Sequence, residues 1–274
     1  MKPIDLMTTI QIEITNYCNL SCAACTRHAG HQRNRYHMDL DLFEDCLKSM
    51  EGYEGLVGIM GGEPTLHPAF PEILAIYREY IPKERRGLWT NMAKWDKYED
   101  IILETFYQDP AHMLKNDHKG EKDVHHPLLL AAKDMIDDEI LMWRLIHDCP
   151  YQNRWSASIN PKGAFFCEVA AAQDILFEGP GGWPIERGWR RKRAGYEFWD
   201  QVERYCPLCG GAVPVAGVSP RDPVDLISPS VEAKFLELGY DLKYQLVDRK
   251  VTEEELRSAL TGKYRPLKHH GEVE

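Results

Sequence analysis

The sequence predicts an α/β fold, with parallel strands joined by crossover helices in a partial (β/α) barrel of about five to six strands and a smaller appended unit. Three observations predict it. Strand-like and helix-like patterns alternate from the first residues to Ile146, which implies a parallel sheet with helices packed outside it. Beyond Cys149 the alternation stops and a hairpin pattern and a loop rich in Gly, Pro and Trp take over. The length of 274 residues allows a full core, and is long for one compact domain but short for two.

In chain order, residues 8–15 place Ile10, Ile12 and Ile14 on one face and Gln11, Glu13 and Thr15 on the other, as a strand with one apolar face does. In a barrel the polar face points inward, towards a substrate. Phe43, Cys46, Leu47 and Met50 recur at helical spacing. A second strand over 56–60 runs into Gly61-Gly62-Glu63-Pro64, followed by a helix over 71–81 and a third strand over 87–91. A helix over 98–107, a short strand at Met113-Leu114, a polar loop over 116–126, a helix over 127–136 and a fifth strand near Ile140–Ile146 complete the first unit. A hairpin follows, Trp155–Ile159 and Ala164–Cys167, turning at Asn160-Pro161-Lys162-Gly163, where Pro at i+1 and Gly at i+3 suit a type I turn. Residues 177–199 read as an ordered loop. Two helices close the chain, 231–238 and 253–260, the second opening on Thr252 and Glu255 at capping-box spacing. The last ten residues are expected to fray. The domain boundaries expected are 1–147, 148–215 and 216–274.

Composition excludes several classes of function. The net charge of -10 opposes nucleic-acid binding, which needs a basic face. The run Arg190-Arg191-Lys192-Arg193 is a local exception; it could face the phosphates of a nucleotide-linked sugar, but a solvated basic loop is the preferred reading. The N-terminus lacks the charged region, apolar run and cleavage site of a signal peptide, and no apolar stretch is long enough to cross a bilayer. A cytoplasmic location with no membrane or nucleic-acid partner is therefore expected. In that compartment eight cysteines are better read as metal or redox ligands than as disulfides.

Seven of the eight fall into two groups. Cys18, Cys22 and Cys25 follow the first strand on a loop. Three thiolates there can hold three irons of a four-iron four-sulfur cluster and leave the fourth open, whereas a structural zinc site takes four closed ligands. Cys149, Cys167, Cys206 and Cys209 form the second group, whose four thiols suit either zinc or a fully ligated cluster on spacing alone. Cys46 is left over, and its place on an apolar helix stripe makes it a core thiol.

Cys18-Asn19-Leu20-Ser21-Cys22-Ala23-Ala24-Cys25 resembles the CxxxCxxC signature of the radical SAM superfamily, and Gly61-Gly62-Glu63-Pro64-Thr65 resembles that family's second motif. The resemblance implies a partial TIM-like barrel, S-adenosylmethionine bound through its amino and carboxylate groups to the open iron, and a 5′-deoxyadenosyl radical that abstracts a hydrogen atom. It assigns Gly61, Gly62 and Glu63 to the methionine amino group and Thr90-Asn91 to the ribose or carboxylate. The aromatic residue common before the third cysteine is Ala24 here, so Tyr17 or Trp89 is expected to line the adenine pocket instead. The hairpin with Cys167 and the Cys206-x-x-Cys209 pair resembles the shortened auxiliary-cluster domain called twitch, although Gly163 stands closer to Cys167 than the related SPASM pattern has it. That resemblance favours a second four-iron cluster over zinc. The layout is similar to that of the radical SAM dehydrogenase acting on 2-deoxy-scyllo-inosamine.

The function these features imply is hydrogen abstraction from a small polar substrate, carbohydrate- or aminocyclitol-like, most consistent with oxidation in which the auxiliary cluster takes the electron. A peptide-modifying maturase, a sugar epimerase and a non-catalytic metal-binding protein are the alternatives. The seventeen residues before Cys18 give no room for an N-terminal leader-peptide domain, which counts against the first. An epimerase needs a hydrogen donor, and Cys46 is the remaining thiol. Candidate proton acceptors at strand ends are Glu13, Lys115, Asp117, His118 and Arg144. His125-His126, in the polar loop, reads as exposed. Flavodoxin or ferredoxin is the reductant that the family implies.

Overall fold

The computed structural model describes residues 1–120, 123–154, 156–191 and 195–260. Its centre is a six-stranded, mostly parallel sheet in the order β4-β3-β2-β1-β5-β6, with β1 at Thr9–Thr15, β2 at Leu56–Gly61, β3 at Arg86–Thr90, β4 at Met113–Lys115, β5 at Ser156–Asn160 and β6 at Gly163–Phe165. Pairs from β4 through to β5 are parallel, and β6 returns antiparallel to β5. This is the α/β arrangement of a partial TIM-like barrel, as the alternating pattern predicts.

The helices α1 (Leu40–Ser49), α2 (Phe70–Tyr80) and α3 (Trp95–Thr105) carry the crossovers. Asp39 caps α1, its side chain accepting the Leu42 amide. Phe43, Cys46, Leu47 and Met50 point inward from α1 against Ile10, Ile12 and Ile14, all buried. Cys46 is thus a core thiol, beside the Met38 sulfur. The polar face of β1 is equally buried, so Gln11 and Glu13 lie inside the fold rather than in solvent.

Several sequence expectations are corrected after β4. Residues 127–136 form a helix only over Ala132–Met135 (α4), because Leu128 and Leu129 turn their carbonyls to the Gly210 and Ser228 amides instead. The strand expected near Ile140–Ile146 is a helix, α5 (Glu139–His147), capped by Asp138. Met142 and Ile146, four residues apart, are buried while Ile140 is 84% exposed, so a helical period produced what looks like a short apolar strand. The fifth strand is instead β5, whose hairpin with β6 forms as predicted; Trp155 lies outside the described residues. Since β5 pairs with β1, this hairpin belongs to the main sheet, and the boundary expected at residue 147 does not separate it from the first unit.

Downstream, α6 (Pro150–Arg154) precedes β5, and α7 (Glu168–Leu176) follows β6 with every residue buried. That all-round burial hides the periodicity that reveals an amphipathic helix. Residues 177–191 and 195–198 are mostly loop with short 3-10 turns, and α8 (Trp199–Tyr205) leads into the Cys206–Cys209 segment. Arg190 is buried, paired with Asp5 and with the Glu51 carbonyl, which corrects the solvated reading at that residue, whereas Arg191 is exposed; Lys192 and Arg193 lie outside the described residues. A two-stranded parallel sheet, β7 (Asp225–Ile227) and β8 (Tyr244–Leu246), flanks α9 (Pro229–Glu237). It belongs to a satellite core of Leu129, Leu176, Phe177, Ile227, Val231 and Phe235. The chain's final helix, α10 (Glu253–Leu260), has the predicted capping box: the Thr252 amide donates to Glu255 and the Glu255 amide to Thr252 Oγ1. The frayed tail expected after it lies outside the described residues. Among the described residues, no helix is long and apolar enough to cross a membrane.

Candidate active site

The carboxyl ends of β1, β2, β3 and β4 open on one cavity of about 370 Å³, a volume in the range of small-molecule sites. Cys18, Cys22 and Cys25 line it from the loop after β1, Gly61-Gly62 from the end of β2, Trp89-Thr90-Asn91 from β3, and Asn116 and His118 from the segment after β4. This is the convergence that parallel strands impose on residues at their ends.

The glycine pair has a steric cause. Gly61 has φ +148°, and a Cβ there would lie 2.0 Å from the Thr15 carbonyl oxygen; a Cβ on Gly62 would lie 2.3 Å from that of Tyr17. The end of β2 therefore runs against the entry to the cysteine loop, where the Gly62 and Glu63 amides donate to the Thr15 and Tyr17 carbonyls at 2.7 Å. Glu63 is fully buried and is absent from the cavity lining. Its carboxylate accepts from the Thr65 amide and hydroxyl, from Thr90 Oγ1 at 2.7 Å and from the Asn91 amide at 2.6 Å. In this geometry it ties the ends of β2 and β3 together, behind the surface that a ligand would touch.

Asn91 Nδ2 reaches Asn19 Oδ1 at 2.9 Å and Cys18 Sγ at 3.5 Å, tying β3 to the cysteine loop. The two expected adenine-side aromatics separate: Trp89 lines the cavity, its ring filling the space beside Gly58 and Gly87, whereas Tyr17 stacks on His37 at 4.4 Å, is 42% exposed and does not line the cavity. Ala24 also lines the cavity, with φ +51°.

Among the proposed proton acceptors, only His118 lines the cavity. Lys115 is exposed, its Nζ 3.7 Å from the Trp95 ring centroid, and Asp117 turns to Lys119. Arg144 is exposed on α5, on a helix and not at a strand end. Glu13 is buried behind Arg27, which joins it at 2.8 Å and Glu168 at 2.9 Å; Ser158 donates to Glu13 and Ser156 to Glu168. Burial opposes the Arg27 charge, but Glu168 and Glu13 outweigh it and push the guanidinium above its usual range. Arg27 and Glu168 line the cavity and were not singled out from sequence; they follow Cys25 and Cys167 closely, the one signal that could have marked them. His125 and His126, read as exposed, also line it, and His126 is 3% exposed.

The second cysteine group also assembles. Cys149, Cys167, Cys206 and Cys209 border a recess of about 30 Å³ together with Met1, Tyr151 and Phe166. Tyr151, 4% exposed, borders both this recess and the large cavity. The donor sets fit the expected groups: three thiols on the large cavity can leave one iron of a cluster free, and four around the small recess can ligate every iron. Among the described residues no three Cys, His, Asp or Glu side chains converge on a single-ion geometry. A cubane instead takes one thiolate per iron. Burial pushes the Cys18 and Cys149 thiols up to about 11 and Cys22 and Cys209 up to about 12, with neighbouring cysteines adding to the shift at Cys18, Cys22 and Cys209. The bare thiols therefore hold their protons at neutral pH, and a metal must displace them.

Residues 12–109 match the family described as the Radical SAM superfamily. No curated protein matches the chain. Among solved structures, BtrN in complex with AdoMet and 2-DOIA is similar at 15% identity and a TM-score of 0.44, over 77% of this chain and 95% of that one. BtrN in an open conformation is similar at 16% identity and a TM-score of 0.41, over 80% of this chain and 99% of that one.

Proposed function

We propose that this chain, which carries a radical SAM domain over residues 12–109, oxidises a small polar alcohol, carbohydrate- or aminocyclitol-like, by hydrogen abstraction followed by loss of one electron to a second iron–sulfur centre. The observation that carries the reading is Tyr151, which borders both the cavity holding Cys18, Cys22 and Cys25 and the recess holding the other four cysteines. A radical made in the cavity would thus be one side chain away from an electron acceptor.

When bound, the cofactors supply a hydrogen-abstracting 5′-deoxyadenosyl radical at the first centre and a one-electron acceptor at the second. Cys18, Cys22 and Cys25 would hold the first cluster, with Gly61, Gly62, Thr90, Asn91 and Trp89 around S-adenosylmethionine. Cys149, Cys167, Cys206 and Cys209 would hold the second. Four ligands leave that centre no open iron, which suits electron transfer rather than substrate binding. The reading of epimerisation loses its thiol donor, because Cys46 is buried in the core and does not reach the cavity. A flavodoxin- or ferredoxin-type reductant would start each turnover, and a cytoplasmic location suits the reduced thiols.

Anaerobic reconstitution with iron, sulfide and reductant tests the assignment. About eight irons per chain supports two clusters, and about four irons with bound zinc would remove the electron acceptor and sink the oxidation. Incubation with S-adenosylmethionine and deuterated aminocyclitols should then place deuterium in 5′-deoxyadenosine alongside a ketone product.

A further inference from the structure

We propose that His125, through Nε2, accepts the hydroxyl proton as the substrate alcohol becomes a carbonyl; the inference rests on the oxidation proposed above. His125 lines the large cavity. Its backbone is fixed by a reciprocal pair, the His125 amide donating to the Val218 carbonyl and the Val218 amide to the His125 carbonyl, both at 2.8 Å. Its Nδ1 lies 2.8 Å from the carbonyl oxygen of Ala23, inside the first cysteine loop.

That contact decides the tautomer. A carbonyl oxygen only accepts, so Nδ1 carries the hydrogen, and a neutral imidazole then presents a bare lone pair at Nε2. Among the described residues no hydrogen bond engages Nε2. The His118 ring packs edge-on at 5.0 Å, which limits rotation of the imidazole. Burial pushes His125 below its usual range, against the Ala23 hydrogen bond, Asp123 and Asp225, which pull it up. The neutral form required of a base is therefore the resting form at neutral pH.

The competing Glu168 and His126 are committed elsewhere. Glu168 is bound by Arg27 and Ser156, and the His126 Nε2 is 2.8 Å from the Gly210 carbonyl. The step balances as follows. H–C–O–H becomes C=O, with the hydrogen atom passing into 5′-deoxyadenosine, the proton to Nε2 and one electron to the iron–sulfur acceptor at the second cysteine group.

His125→Asn separates the chemistry from the scaffold, because its amide can still donate to Ala23 while no base remains. The probe is 2-deoxy-scyllo-inosamine deuterated at its carbinol carbons, with the cluster-loaded enzyme. The variant should still move deuterium into 5′-deoxyadenosine, while ketone formation falls by about 10²-fold or more, and added imidazole should restore part of it. Full ketone formation in the variant, or loss of deuterium transfer together with ketone, overturns the assignment. If the wild type transfers deuterium and forms no ketone, the oxidation itself falls, and His125's role with it. A second measurement needs no substrate: diethyl pyrocarbonate should acylate His125 in the loaded wild type at neutral pH, read by peptide mass. An unmodified His125 overturns the bare Nε2.

Discussion

The Asp225 carboxylate accepts the backbone N–H of Ala24, 201 residues before it in the chain and within the loop that presents the first three cysteines. Ala24 holds a positive φ of 51°, a conformation that L-residues adopt only under constraint. The same carboxylate pairs with His31, and the Pro220 carbonyl accepts the Ala23 amide at 3.0 Å. The C-terminal segment is therefore part of the machinery that shapes the cluster loop.

Asp225→Ala should leave the buried Ala24 amide without its acceptor, costing about 1–3 kcal/mol. Iron retained after gel filtration should fall at the first centre more than at the second, read by the electron paramagnetic resonance of each reduced cluster. Asp225→Asn, which keeps an acceptor oxygen, should recover most of that iron. Equal loss at both centres would sink a local role.

Cys206→Ser should remove about four irons per chain and leave S-adenosylmethionine cleavage in place. What should vanish is the oxidised product, because the first cysteine group does not depend on this ligand. Abolished cleavage would instead mean that the two groups are structurally inseparable.

Tyr151→Leu should retain both clusters yet uncouple them, raising the ratio of 5′-deoxyadenosine to oxidised product. Tyr151→Phe, which preserves the ring between cavity and recess, should behave nearly as the wild type. A ratio unchanged in the leucine variant contradicts the path through Tyr151.

Arg27→Met should be among the most damaging single changes, at about 3–5 kcal/mol, because it strands Glu13 and Glu168 as buried carboxylates without a counter-charge. Chemical denaturation of the apo chain reads that cost. Replacing Glu13 by Gln in the same chain should return part of it.

His28 gives the fold a pH dependence of known sign. It is 2% exposed, and burial, aided by His31, pushes it down to about 3 from an ordinary 6.5. The folded state thus refuses a proton that the unfolded chain takes up. Its contribution is intact above pH 6.5 and is lost as the pH falls from there towards 3. Midpoints of urea unfolding between pH 7 and 4 should decline, and less steeply in His28→Gln.

Much of this protein was legible in its sequence because the governing interactions are local. The ligand spacing of Cys18, Cys22 and Cys25, the alternation of β1 and the capping box at Thr252 all act within a few residues. Where a helix is buried on every side, as α7 is, or short and half-exposed, as α5 is, the periodic signal fails and the reading failed with it. Glu63 shows the limit within a motif: the pattern marks the residue, but only the fold reveals that Thr65, Thr90 and Asn91 already occupy its carboxylate.

The sequence by itself determined the α/β class, the two sets of thiols and the strand end that carries the first of them, since residue type and short-range spacing are enough for these. Tertiary structure decided which polar groups share the cavity. Arg27, His125, Glu168 and Tyr151 meet there from segments far apart in the chain, and Asp225 reaches back to Ala24. No periodicity encodes such encounters, because they depend on how the sheet and its C-terminal segments pack, and on which buried polar groups must find partners once they do.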